Sequence, residues 1–231
     1  MKRILFPLTA IFFILFFATG CGSDNKAAST NNSATVVSDK TSASVKEEAI
    51  EKLKFKTPED TEALYIKRYS DHEKLEINFE GVTAELKARS NDKGRLKYKE
   101  SSQGQDKAVV AEVKYKEESI KLVDEKEQLL FKIKFSEDKI KIANNEDMTS
   151  PFELKTKSPE KIEIRDSSGN EIGNVKFYAD TGKLKVKDNQ EKEILVIKNF
   201  KLSAAPGVIL FKDIPAKLRC IILNEILKKE R

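Results

Sequence analysis

The sequence predicts a mainly β domain with a C-terminal α-helix, arranged as an antiparallel barrel or strongly curved sheet of about 12 strands packed around that helix. Three observations carry this prediction. Apolar and charged residues alternate in many short runs, and turn-forming residues separate these runs at short intervals. The last segment of the chain is apolar around most of a helix, and one flat sheet face would cover only part of it.

Alternation of apolar and charged residues dominates the chain between residues 63 and 211. Successive side chains of a strand point to opposite faces, so each alternating run has one dry face and one charged face. Antiparallel sheets show this pattern, whereas parallel sheets are buried on both faces. Turn signals end the runs, as in residues 91–94 and 180–183. The clearest runs are Leu130–Phe135, Lys139–Ile142, Lys161–Arg165 and Lys183–Lys187.

Three of the predicted hairpins share one form, in which a short strand ends in Asp124, Asp166 or Asp188 and a second strand returns. The spacing between these units is unequal, which excludes a solenoid. Aspartate is a common turn residue because its carboxylate accepts hydrogen bonds from the backbone a few residues on. We therefore interpret the three residues as turn residues, with ion binding and catalysis as less favoured alternatives. None stands in the spacing of a Ca²⁺-binding loop.

Helices are predicted at both ends of the domain. Residues 47–56 fit a short helix that Thr57-Pro58 ends. Residues 213–229 fit a longer helix, with Asp213 as its N-cap and lysines near the negative end of the helix dipole. Cys220 lies in this helix, and we interpret it as a small buried hydrophobe rather than a reactive or intermolecular thiol.

The N-terminus predicts an export signal in residues 1–20. A positive start precedes about 14 mostly apolar residues, too few to span a bilayer core of about 30 Å. Small residues follow, and Ala18-Thr19-Gly20-Cys21 resembles the lipobox of bacterial lipoproteins. The resemblance implies that diacylglycerol is joined to the Cys21 thiol and that the chain is cut between Gly20 and Cys21. The alternative is an uncleaved anchor with an incidental cysteine.

The predicted mature chain consists of a tether and one domain. Residues 21–46 are rich in Ser, Thr, Asn and Ala, and such a coil reaches roughly 25–30 Å. Residues 47–231 fit one domain, in which Cys220 has no disulfide partner once Cys21 is lipidated. Gly22 stands where an aspartate signals inner-membrane retention in enterobacteria. In an organism with two membranes the resemblance therefore implies the outer membrane, on its periplasmic or surface face.

The body of the chain resembles the tubby-like family, in particular its LURP-one-related branch. The likeness covers roughly residues 60–231, in hairpins of strand, Asp, Gly-Asn turn and strand that precede an apolar helix. It implies a closed β-barrel wrapped around a hydrophobic C-terminal helix. It implies no catalytic residues, and the family's basic phosphoinositide pocket is not recognisable. The residues that carry the likeness are Ile162–Phe177, Leu184–Ile197 and the helix from Asp213.

The sequence offers no motif for catalysis or for a cofactor. His72 is the single histidine and lies in the run YSDHE, so we interpret it as a solvated turn residue. A Ser-His-Asp or Cys-His enzyme needs a base held by a third group, and no such set is evident. Without a second histidine or a Gly-rich phosphate loop, we expect no metal and no cofactor beyond the lipid on Cys21.

The charge pattern argues against nucleic acid as a partner. The net charge of +5 falls to about +3 when Lys2 and Arg3 leave with the signal. Lysines and glutamates are interspersed, and no basic stripe carries interleaved aromatic residues. The lysine-rich strand faces would allow weak attraction to anionic lipid.

These observations favour a membrane-anchored lipoprotein whose non-catalytic β-rich domain acts as a binding or interaction module of the cell envelope. Its expected partners are the membrane, through the lipid, and an unidentified protein or lipid ligand. A first alternative is an envelope protein that holds a lipid or small ligand, which would need an unfilled cavity in the sheet. A second is an enzyme that acts on envelope polymers, which would need two close carboxylates in a cleft.

Overall fold

Fourteen antiparallel strands form one closed barrel, in which each strand pairs with its neighbours in sequence and β1 closes on β14. The computed structural model describes residues 48–102 and 105–231. The strands are β1 Glu51–Lys56, β2 Glu62–Arg68, β3 His72–Phe79, β4 Val82–Ser90, β5 Leu96–Ser102, β6 Gln105–Tyr115, β7 Ser119–Val123, β8 Leu129–Phe135, β9 Lys139–Ala143, β10 Phe152–Ser158, β11 Lys161–Arg165, β12 Glu171–Tyr178, β13 Lys183–Asp188 and β14 Glu193–Lys198.

The predicted fold class is confirmed, with fourteen strands in place of about a dozen. The extra strands lie partly in residues 47–56, where the predicted short helix is wrong. In the run from Glu51 to Lys56, lysines alternate with Leu53 and Phe55. This period of two fits a strand, although the composition of the run also fits a helix. Phe55 is completely buried against the core, so tertiary packing decides in favour of the strand.

The C-terminal helix α1 (Ala216–Lys229) and a 3₁₀ helix (Ala205–Leu210) fill the interior of the barrel. The 3₁₀ helix is buried along its whole length, and Gly207 lets it approach the side chains of Leu154 and Ile164 on the barrel wall. Burial of α1 is equally complete through its middle, which confirms the prediction that the sheet closes on this helix. Its buried residues are Arg219, Cys220, Ile221, Ile222, Leu223, Asn224, Glu225, Ile226 and Leu227.

The helix begins later than its sequence predicts. Pro215, not Asp213, occupies the N-cap position, and no side chain caps the first turn. Proline suits the start of a helix because its missing N–H would have no intrahelical acceptor there. The residues before it instead form turns, in which the Ile214 N–H donates to the Phe211 carbonyl at 2.9 Å.

Strand β1 begins and β14 ends at the same mouth, because an even number of antiparallel strands returns the chain to its starting side. Helix α1 then runs back through the interior, so the chain also ends there. The Ile50 N–H donates to the Arg68 carbonyl at 2.8 Å, and Arg231, the last residue, pairs with Glu51. We call this mouth the terminal mouth. In the described residues no helix is long and apolar enough to cross a membrane.

The predictions for the N-terminus lie outside the described residues. These are the signal in residues 1–20, the cleavage between Gly20 and Cys21, the lipid on Cys21 and the tether in residues 21–46. The boundary between tether and domain also stays a prediction.

Candidate functional site on the outer wall and the interior polar cluster

Strands β1 to β5 bring five lysines into one row across the outer face of the barrel. The five side chains point outward, because the residues that alternate with them are buried in the core. The register of each strand pair places every lysine of the row directly opposite the next. Like charges in directly opposite positions destabilise a sheet, so this arrangement is unfavourable for the isolated domain. We call the row the lysine ladder; it consists of Lys52, Lys67, Lys74, Lys87 and Lys99.

Lys67 and Lys74 have ion-pair partners on the adjacent row. Lys67 donates to Glu76 at 2.5 Å, and Lys74 lies 3.0 Å from Glu85. Lys52 and Lys87 have no carboxylate partner within the described part of the chain. Cations therefore outnumber carboxylates on the outer face of β1 to β5. Nine cations (Lys52, Lys54, Lys56, Lys67, Lys74, Lys87, Arg89, Lys97 and Lys99) face outward beside three carboxylates (Glu62, Glu76 and Glu85).

A groove of about 620 Å³ adjoins the ladder on the side away from the terminal mouth. The Tyr65 ring forms part of its floor and carries the ammonium groups of Lys54 and Lys67, 4.7 and 4.5 Å from the ring centre. Glu76 and Glu85 lie directly opposite each other in it. The groove thus offers a ring, carboxylates and small polar groups to a ligand. It is lined by Glu62, Tyr65, Glu76, Ile77, Asn78, Thr83, Ala84, Glu85, Glu100 and Ser101.

A second group of polar residues lies inside the barrel near the terminal mouth. Tyr98 donates its hydroxyl hydrogen to Glu225 at 2.5 Å, and the Asn224 amide nitrogen donates to Glu73 and to the Tyr98 oxygen at 2.6 and 2.8 Å. Arg68 donates to the Asn224 carbonyl oxygen at 2.8 Å. We call these five residues the interior polar cluster. Together they join α1 to strands β2, β3 and β5.

Burial shapes the ionisation of groups in and around the cluster. Burial next to the Glu225 carboxylate raises the pKa of Tyr98 well above its usual range, so its hydroxyl stays a hydrogen-bond donor. Burial and Glu225 also raise the pKa of Tyr115, which donates to Glu225 at 2.7 Å. Burial alone would raise the pKa of Glu51, but hydrogen bonds from Arg231 and Arg68 outweigh it and lower that pKa.

The sequence context of His72 predicts a solvated turn residue, and this prediction is wrong. His72 is the first residue of β3, only 8% exposed, and its ring stacks on Tyr69 with ring centres 4.3 Å apart. The turn between β2 and β3 comprises only residues 69–71. Strand β3 therefore already begins at His72, within the polar run, and its packing buries this side chain. Nδ1 lies 2.5 Å from Asp71, and this hydrogen bond lowers the pKa of the Asp71 carboxyl. A carboxylate and a tyrosine ring are therefore its neighbours.

The three hairpin aspartates are turn residues, as predicted. Asp166 accepts hydrogen bonds from the backbone N–H groups of Ser168 and Asn170, both at 2.9 Å. Asp124 and Asp188 make the same pair of bonds two and four residues on. Their carboxylates thus fix the turns. In residues 48–102 and 105–231 no group of three His, Cys, Asp or Glu side chains could hold a metal ion.

Cys220 is a buried hydrophobe, as predicted. It is fully buried in α1, and burial raises the pKa of its thiol to about 12. A thiol must lose its proton to react, so this cysteine is inert at neutral pH.

Sequence reasoning missed both the ladder and the interior polar cluster. Alternation in each strand marks the ladder lysines as outward-facing, but only the cross-strand register aligns them. In the sequence, Arg68, Glu73 and Tyr98 look like ordinary members of amphipathic strands. Asn224 and Glu225 form a polar step between apolar runs of the helix. This polar step in an otherwise apolar helix was the one sequence feature that could have indicated the interior polar cluster.

Neither family models, nor curated proteins, nor solved structures give a match to this chain.

Proposed function

We propose that the protein is a bacterial lipoprotein, anchored through lipid on Cys21, whose barrel is a non-catalytic binding or interaction module of the cell envelope. The lipobox resemblance of Ala18–Cys21 supports the anchor, and the tubby-like resemblance supports a barrel without catalytic residues. In an organism with two membranes we place it on the outer membrane.

The observation that carries the binding role is the filled interior. Helix α1 and the 3₁₀ helix occupy the space that a ligand would use in an open barrel, and the core is continuous between them and the wall. A partner would therefore meet the outside of the barrel. The outer wall of β1 to β5, with its ladder and its groove of about 620 Å³, is the surface best equipped for this.

The carboxylates of the chain support binding over catalysis. Glu73 and Glu225 both belong to the interior polar cluster, but Glu225 is completely buried and a polymer could not reach it. Glu76 and Glu85 face each other in the outer groove, yet each is already engaged by a ladder lysine. Cleavage of a glycosidic bond needs two carboxyl groups free to act on the substrate from opposite sides.

Metabolic labelling with palmitate tests the anchor, and the two cysteines give a matched pair of variants. We expect the full chain and Cys220→Ala to take up label and to remain with the membrane, and Cys21→Ala to take up none. Label that persists in Cys21→Ala would refute the lipoprotein assignment.

A second candidate, an envelope carrier of a lipid or small ligand, is favoured by one pocket. Beside the terminal mouth, about 320 Å³ of space is lined partly by Leu53, Phe200 and Leu227. This volume is at the low end for a small-molecule site. Native mass spectrometry of Cys21→Ala purified from its host, which carries no covalent lipid under this proposal, would detect a co-purifying lipid if this candidate is right, and the bare mass if it is wrong.

A further inference from the structure

We propose that the lysine ladder binds a linear phosphate polymer that runs across strands β1 to β5. This inference names a partner class for the proposed interaction module and rests on that proposal for its envelope setting. Its physical basis is the alignment of five cations across five strands, together with the curvature of the wall that carries them.

The ladder is costly for the free protein and favourable for a complex. Each lysine meets another lysine directly across the strand pair, so every step of the row is repulsive. The neighbouring row repeats the pattern with carboxylates, since Glu76 and Glu85 also face each other. Charges are therefore grouped in rows rather than alternated across strands. A row of phosphates beside the ladder would replace repulsion with attraction and release the counterions of the polymer.

The row has the dimensions of a short stretch of polymer. Neighbouring strands lie about 4.8 Å apart, so the four steps of the ladder span about 19 Å. Lysine is a flexible point charge that suits phosphate without fixed bond directions. Asp60, Asp71 and Glu112 lie beside these strands and pair with Lys56, Arg89 and Lys97. Nine outward cations therefore stand against six carboxylates, and the wall keeps a positive excess.

Curvature favours a polymer over a lipid surface. The four steps from β1 to β5, of fourteen around the closed barrel, turn through about 100° of its circumference. A flat bilayer would touch one or two of the five lysines at a time, because the others turn away from the plane. A flexible chain can follow the curved wall and meet all five.

Binding of long-chain inorganic polyphosphate to the chain beginning at Gly22 tests this inference. The test variant is Lys52→Gln/Lys87→Gln, which removes the two ladder lysines without described carboxylate partners. The control is Lys126→Gln/Lys192→Gln, which removes the same charge from two exposed hairpin turns. Each lysine–phosphate contact strengthens binding about fivefold, so the ladder variant should lose about 25-fold. The slope of log affinity against log salt should also become shallower by about 1.4–1.8, because each of the two lost contacts contributes about 0.7–0.9.

The control variant should keep the affinity of the wild type, and thermal unfolding should show that both variants fold. Equal losses in the two variants would overturn the proposal, because net charge alone would then explain binding. Tighter binding to phosphatidylglycerol vesicles than to polyphosphate would also overturn it, in favour of a lipid surface. Neither result affects palmitate labelling at Cys21. A failure of the polymer-binding proposal can therefore be told apart from a failure of the lipoprotein proposal.

Discussion

Replacing Tyr98 with Phe tests whether the interior polar cluster holds α1 in the barrel. Tyr98 is completely buried on β5, and its hydroxyl is the only part of the side chain that phenylalanine lacks. That hydroxyl donates to Glu225 at 2.5 Å and accepts from Asn224 at 2.8 Å. The substitution therefore removes two hydrogen bonds between the wall and the helix and changes little else.

The expected cost follows from the partners that remain. Glu225 keeps Tyr115 at 2.7 Å and Lys228 at 2.5 Å, so its charge is not left unpaired. Asn224 keeps its bond to Glu73. The loss is then chiefly one hydrogen bond to a charged group, which contributes about 1.5–3 kcal/mol when buried. For a domain of this size the melting temperature should fall by about 5–10 °C.

Urea denaturation at neutral pH measures this loss, with Tyr65→Phe as the matched control. The Tyr65 hydroxyl has no hydrogen-bond partner in the described residues, and the ring contacts with Lys54 and Lys67 survive the substitution. The control should change the free energy of unfolding by less than about 0.5 kcal/mol. In a Glu225→Gln background the cost of Tyr98→Phe should shrink to about 1 kcal/mol, because the acceptor is neutral. Equal stabilities of Tyr98→Phe and Tyr65→Phe would refute the reasoning.

Two further predictions concern the hairpins and the C-terminus. Gly173→Ala should cost about 3 kcal/mol or more, because the new Cβ would lie 2.2 Å from the Lys187 carbonyl oxygen. In the turn of the same hairpin, the new Cβ of Gly169→Ala meets no atom within 4 Å. This control should lose only about 1–2 kcal/mol of unfolding free energy, because the position has a positive φ. Equal losses for the two variants in urea denaturation would contradict this prediction. Burial raises the pKa of Glu230, so its ionisation weakens the folded state as the pH rises above 4.5. Glu230→Gln should therefore gain stability relative to the wild type as the pH rises from about 4.5 through the raised pKa of Glu230, and a constant difference would contradict the assignment.

The inner and outer faces of the wall could be predicted from sequence because alternation is a local property. Each strand shows its own dry and charged sides, and a helix apolar around most of its surface must be enclosed. These two facts were enough for a sheet that closes on its last element. The residues 51–56 show where local reading fails, since EKLKFK fits both periods and only the burial of Phe55 decides between them.

The candidate site could not be predicted because it depends on register. A shift of one strand by two residues would keep every face and every core residue, but it would separate Lys67 from Lys74. The same holds for His72, whose burial depends on a turn of only three residues before it. Polar contacts inside the barrel join residues more than a hundred positions apart, as Tyr98 and Glu225 are. No local pattern records such a distance.

The interior polar groups solve a problem that an apolar helix in an apolar barrel creates. Ile221, Ile222 and Ile226 could pack against the wall in several rotations of the helix with similar burial, because hydrophobic contact has no direction. Hydrogen bonds do have direction. Arg219 donates to Glu80, in the turn between β3 and β4, near the start of α1, while Asn224 contacts Glu73 and Tyr98 farther along. Two polar contacts at different heights fix both the rotation and the depth of a rod. We infer that these contacts set one position of α1, and thereby one shape of the wall that displays the ladder.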